Sequence, residues 1–136
     1  QINLIRKKVE DVDLNFFKNL NASSILFIDS SHVIRPQGDV LFEILQILPS
    51  LPKGVIVHIH DIFTPRDYPS KWILKDKRMW DEQYILEAFL MYNESFEIIA
   101  TANHLSYEMP ELLKQKFPMF DGKSGQGASI YLMKTK

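Results

Sequence analysis

The chain has 136 residues, of which 46% are apolar and 24% charged, with a net charge of −1 and no cysteine. This size and composition are typical of one globular domain, and the near-zero charge argues against a nucleic-acid or membrane-surface partner. The lack of cysteine excludes disulfides and thiolate metal sites and fits a cytoplasmic protein, and no apolar run approaches the roughly 20 residues of a membrane helix.

The first thirty residues predict two strands separated by a short helix. Residues 2–9 mix β-branched residues with charges, which is typical of an exposed strand. Asp13 is a suitable N-cap for a short helix over residues 14–20. The sequence SSILFIDS, residues 23–30, contains a continuous apolar run of the kind that forms a strand buried on both faces.

A helix and a second buried strand follow. Residues 38–51 predict a helix that Asp39 caps and that Pro49 and Pro52 close, because apolar residues recur there at helical spacing: Val40, Leu41, Ile44, Leu45 and Leu48. The sequence GVIVHIHDI, residues 54–62, then predicts another strand buried on both faces.

Residues 63–80 form a long segment without a regular pattern, which is typical of a functional lid or of a disordered loop. Its aromatic residues are suited either to cover a substrate or to pack the loop onto the domain: Phe63, Tyr68, Trp72 and Trp80. Its basic residues Arg66, Lys71 and Lys75 are suited to meet an anionic substrate or to form a solvated face.

The remaining residues continue the alternation of helices and strands. Residues 81–93 predict a helix with one apolar face, formed by Tyr84, Ile85, Ala88, Phe89 and Tyr92. A strand over residues 96–105, a helix over 110–117, a turn over 122–127 and a strand over 128–135 complete the chain. This order predicts an α/β sheet with helices on its faces.

Ionisable side chains follow two of the predicted strands. Asp29 and His32 come after the first buried strand, and His60 and Asp61 come at the end of the second. Ligands of open α/β sheets bind at the carboxyl ends of the strands, so we expect these side chains to border one site. The two carboxylates suit a divalent cation, to which His60 would add a nitrogen ligand. The alternative is that each aspartate caps the turn that follows it.

The other histidines are weaker candidates. A neutral imidazole at His32 can take a proton from a hydroxyl, although a loop histidine can equally be bonded to the backbone. His58 shares a strand face with His60 but lies deeper, which favours a core histidine, and His104 has no predicted role.

The sequence resembles the class I S-adenosylmethionine-dependent methyltransferases, in particular a bacterial group of small methyltransferase domains. The resemblance rests on FIDSSHV (27–33), LPSLPKG (48–54), HDIFTPRDYPSKW (60–72) and WDEQYILEAFLMYNESF (80–96). It implies a partial Rossmann-like, doubly wound sheet that lacks the first two strands. Residues 1–136 would then be a single partial domain, with residues 2–12 as the family's third strand and the glycine-rich cofactor loop missing upstream.

The resemblance also implies roles for the strand-end residues. His32 and Asp29 would be catalytic, while Asp29, Ser30 and Ser31 would contact S-adenosylmethionine. Asp29, His60 and Asp61 would hold a divalent metal such as Mg²⁺, although His60 replaces the usual acid. Lys8 stands where an acid often meets the adenine amino group.

The implied reaction is O-methylation of a small molecule or sugar, with this chain inactive on its own. Because the first buried strand would have one unpaired edge, we expect a homodimer or a swapped assembly. Two alternatives stay open. One is a non-catalytic interaction module, which the missing cofactor loop favours, and the other is a metal-dependent hydrolase that uses the same strand-end acids.

Overall fold

The computed structural model describes residues 2–120 and 127–136 of the chain. Four strands form one mixed sheet: β1 (Ile25–Ile28), β2 (Ile56–His60), β3 (Phe96–Thr101) and β4 (Ser129–Lys134). Their order in the sheet is β1-β2-β4-β3, with β1 parallel to β2 and with β4 antiparallel to both of its neighbours. The predicted alternation of strands and helices in an α/β fold is confirmed.

Seven short α-helices accompany the sheet in the described part of the chain. They are α1 (Leu14–Lys18), α2 (Asp39–Phe42), α3 (Leu48–Ser50), α4 (Ser70–Leu74), α5 (Glu82–Leu90), α6 (Ala102–Glu108) and α7 (Pro110–Lys116). A π-helical segment, Glu43–Ile47, joins α2 to α3, so residues 39–50 form one continuous helical stretch. As predicted, the Asp13 carboxylate caps α1 by accepting a hydrogen bond from the Asn15 N–H at 2.9 Å.

The hydrophobic core lies on one face of the sheet. Val57 and Ile59 of β2 are fully buried there against Ile44 and Leu48 of the helical stretch and Leu86 of α5. Side chains alternate between the two faces of a strand, so the neighbouring residues point the other way. On that second face Ile25 is 65% and Phe27 54% exposed. The prediction that β1 and β2 are buried on both faces is therefore wrong for the described residues.

The amino-terminal segment does not form the predicted strand. Residues 2–8 have no regular structure, and a short 3₁₀ helix, Val9–Asp11, follows them. Ile2 and Leu4 are exposed, and no described strand pairs with this segment. Within the described part of the chain, the backbone groups of this segment therefore lack the strand partners on which a stable strand depends.

The start and end of the first long helical stretch also differ from prediction. Gly38 occupies the N-cap position of α2, and Asp39 is the first helical residue, with its carboxylate bonded to Ser31. Pro49 does not end the helix, because the continuous helical stretch runs one residue further, to Ser50.

The apolar face predicted for α5 is shifted. Tyr84 and Tyr92 are exposed, whereas Gln83 and Leu86 are buried, and Ile85 and Phe89 pack at the edge of the core. The Tyr84 hydroxyl donates to Asp67 at the surface, and the helix already ends at Leu90. Tyr84 and Tyr92 therefore led to a wrong prediction of which side of this helix faces the sheet.

The later boundaries change in two places among the described residues. β3 ends at Thr101, its last residue paired with β4, and α6 replaces the rest of the predicted strand. The predicted lid contains α4. The predicted turn over residues 122–127 lies outside the described residues except for Gly127.

The position of β1 agrees with the expected open edge. β1 pairs only with β2 among the described strands, and its other edge carries no described partner. The homodimer or swapped assembly stays a prediction. None of the described helices combines the length and the apolar character needed to cross a membrane.

Tyr92 provides a test of the carboxyl end of α5. It follows the C-cap Met91, has φ of 56° and is 99% exposed. Left-handed backbone is unfavourable for residues with a Cβ atom, so we expect Tyr92→Gly to raise the free energy of unfolding by about 0.5–1 kcal/mol. Urea denaturation measures this, and Tyr92→Ala, which keeps the Cβ atom, should give no such gain. Equal stability of the two variants would contradict the explanation.

Candidate functional site

The carboxyl ends of β1 and β2 meet because the two strands are parallel neighbours. Asp29 directly follows β1, His60 is the last residue of β2, and Asp61 comes next. The Nδ1 atom of His60 lies 3.2 Å from Asp61 Oδ1 and 3.9 Å from Asp29 Oδ1. The two acids therefore border one site, as the strand pattern predicts.

His32 joins the same site from the loop that leaves β1. His32 is buried, and its backbone has the left-handed conformation, with φ of 60°. The Nε2 atom lies 3.4 Å from Asp29 Oδ1 and 3.8 Å from Asp61 Oδ2. Asp29, with 48% of its side chain exposed, faces solvent, whereas the Asp61 side chain is only 16% exposed. The site thus has an imidazole at its base and a carboxylate at its mouth.

The amino end of α5 holds the His32 loop in place. The His32 carbonyl oxygen accepts hydrogen bonds from the N–H groups of Asp81 at 3.1 Å and Glu82 at 3.3 Å. The Asp81 carboxylate accepts from the Ile34 N–H at 2.6 Å, and the Trp80 ring lies against the imidazole with centroids 4.2 Å apart. These contacts fix both the backbone and the ring of His32.

Surrounding carboxylates set the protonation of His32. Burial by itself would lower the pKa of the imidazole, but the hydrogen bond and the negative charge of Glu82, together with Asp61 and Asp29, raise that pKa above its usual value of 6.5. A histidine of this kind is suited to accept a proton near neutral pH.

Ser30 and Ser31 bond to the helix that follows β1. The Ser30 hydroxyl donates to Glu43 at 2.8 Å, while the hydroxyl and N–H of Ser31 donate to Asp39 at 2.7 and 3.0 Å. Ser30 and Asp29 border a cleft of about 370 Å³, whose other lining residues are Lys8, Val9, Glu10, Arg35, Asp39 and Glu43. Of the two predicted cofactor-binding serines, Ser30 therefore lines a cleft, and the hydroxyls of both are occupied within the chain.

A second cleft lies on the other side of the strand ends. It has a volume of about 450 Å³ and is lined by His60, Asp61, Phe63, Pro69, Trp72, Gly127 and Ala128. The side chain of Gln83 anchors the lid to α5: its carbonyl accepts from the Phe63 N–H, and its amide donates to the Arg66 carbonyl, each at 2.8 Å. Asp29 thus lines the first cleft and Asp61 the second.

The charged and aromatic lid residues are mostly engaged with each other. Trp72 packs edge-on against Phe63 and Trp80, with the Arg78 guanidinium over both tryptophan rings. Arg66 pairs with Glu108 and lies over the Tyr107 ring, so its charge is directed to α6 rather than to the cleft. Trp72 both packs the lid and lines the cleft.

The donor set at the strand ends fits a divalent cation. Ligand atoms of Asp29, His32 and Asp61 all lie within 4.8 Å of one another. The predicted set of Asp29, His60 and Asp61 differs by one histidine, and His60 Nδ1 is itself a buried atom without a hydrogen-bond partner among the described residues. A carboxylate pair beside an unsatisfied imidazole nitrogen is suited to a metal that accepts mixed oxygen and nitrogen ligands.

His58 lies outside the site. It faces the uncovered side of the sheet between Phe27 and Tyr131, and its Nε2 lies 3.0 Å from the Ser129 hydroxyl. It is therefore a hydrogen-bonded histidine, as expected, but not a core residue. His104 is exposed on α6.

Two buried acids of the site were missed in the sequence. Glu82 contacts the His32 ring, and Glu43 accepts from Ser30. Both lie in segments where the spacing of the apolar residues predicts a helix, and the two acids were therefore not considered as site residues. The available signal was an acidic residue on the helix side that faces the carboxyl end of a strand.

Comparison with known proteins gives no relatives. No family model matches the chain, and no curated protein or solved structure matches it either.

Proposed function

We propose that this chain carries the acceptor side of an S-adenosylmethionine-dependent O-methyltransferase. The observation that supports it is the convergence of Asp29, His32 and Asp61 at the carboxyl ends of two parallel strands, between two clefts. A partial Rossmann-like sheet, doubly wound in the complete domain, is part of this proposal. Its substrate is a hydroxyl group of a small molecule or sugar.

The cleft beside Ser30 is the proposed place of the cofactor. Three of its acidic lining residues, Glu10, Asp29 and Asp39, already outnumber its two basic ones, Lys8 and Arg35, and Arg35 is paired with Asp39. An excess of carboxylates suits a ligand that carries sulfonium and ammonium charges. When bound, S-adenosylmethionine supplies an electrophilic methyl group.

His32 is the proposed general base. An acceptor hydroxyl in the aromatic cleft would give its proton to Nε2, the ring nitrogen that faces Asp29 and Asp61. The hydroxyl oxygen, having lost its proton, would be the nucleophile for the methyl group that S-adenosylmethionine would supply, and the sulfur would keep the electron pair of the broken carbon–sulfur bond. Trp72 and Phe63 would orient the acceptor and exclude water, and such alignment can supply a large part of the rate.

A divalent cation would be held by Asp29, His60 and Asp61, where it would lower the pKa of the acceptor hydroxyl. The unsatisfied His60 Nδ1 favours this set and leaves His32 for proton transfer. These two roles of the histidines can be separated by experiment, because one Nε2 lone pair cannot bind a metal and accept a proton at once.

Metal binding is tested by calorimetric titration of the chain with Mn²⁺. We expect Asp61→Asn to weaken Mn²⁺ binding at least tenfold, since it removes one charged ligand, and His60→Ala to weaken it more than His32→Ala does. If His32→Ala abolishes binding while His60→Ala has no effect, then His32 is a metal ligand and the base assignment is wrong.

The function itself is tested by calorimetry of the full-length gene product with S-adenosylmethionine. Binding that Asp29→Asn weakens would support the proposal. Absence of binding would instead favour the non-catalytic interaction module. Metal-dependent ester hydrolysis without the cofactor would favour the hydrolase, which the Asp29, His32 and Asp61 cluster also suits.

A further inference from the structure

Glu82 forms a buried pair with His32 at the start of α5. Its Oε2 atom lies 2.8 Å from His32 Nδ1, and the glutamate is fully buried. The other carboxylate oxygen, Oε1, has no hydrogen-bond partner among the described residues. The imidazole is thus the side-chain partner of this acid in the described structure, and the acid is the closest partner of the imidazole.

The pair decides which ring nitrogen carries hydrogen when the imidazole is neutral. An ionised carboxylate can only accept a hydrogen bond, so Nδ1 must be protonated to satisfy Glu82. Asp29 and Asp61 compete for the same proton from the Nε2 side, but at 3.4 and 3.8 Å they are farther away and more exposed than Glu82. The Glu82 bond is stronger because a short, desolvated, charge-assisted hydrogen bond outweighs long exposed ones.

Neighbouring groups on other sides of the ring add to this preference for one orientation. The Trp80 ring lies against the imidazole at a tilt of 36°, and the His32 carbonyl oxygen accepts hydrogen bonds from the N–H groups of Asp81 and Glu82. The amino end of α5, whose dipole favours a negative charge, also stabilises the Glu82 carboxylate where it is. Position and charge of this acid are therefore matched to one orientation of the ring.

We propose that Glu82 is a positioning residue that keeps His32 in the Nδ1–H tautomer, with Nε2 directed to Asp29, Asp61 and the aromatic cleft. Its catalytic consequence rests on the proposed role of His32 as base. In each turnover the acceptor proton would arrive on Nε2 while the proton on Nδ1 stays with Glu82. Without Glu82 the strand-end acids would draw the hydrogen to Nε2 and remove the lone pair from the site.

The protonation state of each ring nitrogen of His32 tests the proposed role of Glu82 directly. In ¹⁵N-labelled, metal-free protein at a pH where the imidazole is neutral, we expect a protonated Nδ1 and an unprotonated Nε2 in the wild type. Glu82→Gln removes the charge at nearly constant size, and we expect the tautomer to reverse. An Nε2–H tautomer in the wild type would overturn the proposal without any need for a variant.

Glu43→Gln is the matched control, because Glu43 is also a buried glutamate but bonds to Ser30 and not to His32. We expect it to leave the His32 tautomer unchanged, and a reversal there would overturn the specific role of Glu82. Glu82→Asp, which keeps the charge, should restore the Nδ1–H form that Glu82→Gln loses.

Kinetics of the full-length protein complete the test. Glu82→Gln should lower kcat about 100-fold or more with KM changed less than about threefold. The reason is that the wrong tautomer removes the lone pair that accepts the proton but leaves the binding of the acceptor unchanged. An unchanged kcat together with a reversed tautomer would remove His32 as base but leave the positioning role of Glu82 intact. An unchanged tautomer would overturn the positioning role whether or not methyl transfer is found.

Discussion

Replacing His32 with alanine should lower methyl transfer by the full-length protein about 10²–10⁴-fold, the usual contribution of a general base. Nε2 of His32 faces both strand-end acids, and the other imidazole beside these acids, His60, is the proposed metal ligand. Release of S-adenosylhomocysteine measures the rate. KM for the acceptor should change little, since the imidazole acts on the proton that leaves rather than on the body of the acceptor.

His104→Ala is the control for this experiment. His104 is exposed on α6 and bonds to none of the site residues, so its loss should leave the rate unchanged. A His32→Ala variant that turns over as fast as His104→Ala would remove His32 from the mechanism. Equal losses in both variants would indicate a general effect of histidine removal and not proton transfer.

Glu43→Gln should stabilise the protein at alkaline pH and have little effect in acid. Burial on the π-helical segment raises the pKa of Glu43 to about 7; the Ser30 hydroxyl opposes this rise, and the charges of Glu82, Asp39 and Glu10 add to it. The folded protein therefore binds a proton that the unfolded chain, with its carboxyl pKa of 4.5, has already released. Stability is lost as the pH rises between these two values.

The expected size of the Glu43 effect follows from the pKa difference. At pH 8 the charged carboxylate costs about 3 kcal/mol of unfolding free energy, and at pH 5 less than about 1 kcal/mol. Urea denaturation of Glu43→Gln and wild type at both pH values should show this difference growing with pH. Glu97→Gln, on the exposed side of β3, should give no such growth. A pH-independent difference for Glu43→Gln would contradict the assignment of a buried, protonated acid.

The meeting of Asp29 and Asp61 was predictable because it depends on local facts. Each acid ends a short apolar run, and two such runs in an α/β chain tend to be parallel neighbours. The apolar runs and the position of each acid at the end of its run were therefore enough to predict that the two carboxylates lie close together. The same reasoning reached His32, since three residues after a strand end is still the rim of the sheet.

The partner of His32 was not predictable in this way. Glu82 lies 50 residues further along the chain, and its burial depends on which side of α5 faces the sheet. Tyr84 and Tyr92 indicated the wrong side, because aromatic side chains with a polar tip are stable at the surface as well as in the core. Gln83 was missed for the same reason, although it anchors the lid through hydrogen bonds to the backbone of Phe63 and Arg66.

The strand predicted for residues 2–9 shows another limit of pattern reasoning. β-branched residues favour a strand, but this preference alone does not decide whether a segment pairs with an open edge. β1 presents an open edge, yet this segment instead contributes Lys8, Val9 and Glu10 to the acidic cleft beside Asp29. Long-range pairing is decided by the whole fold, which a single window of sequence does not contain.

The central claim is that Asp29, His32 and Asp61 face one pocket beside the place of a sulfonium donor. A crystal structure of the full-length protein with S-adenosylhomocysteine tests it most directly. We expect the sulfur atom at the carboxyl end of β1, next to Asp29 and open to the cleft that His60, Asp61 and Trp72 line. A ligand bound away from the ends of β1 and β2, or a site that takes up only a metal ion under the same conditions, would contradict it.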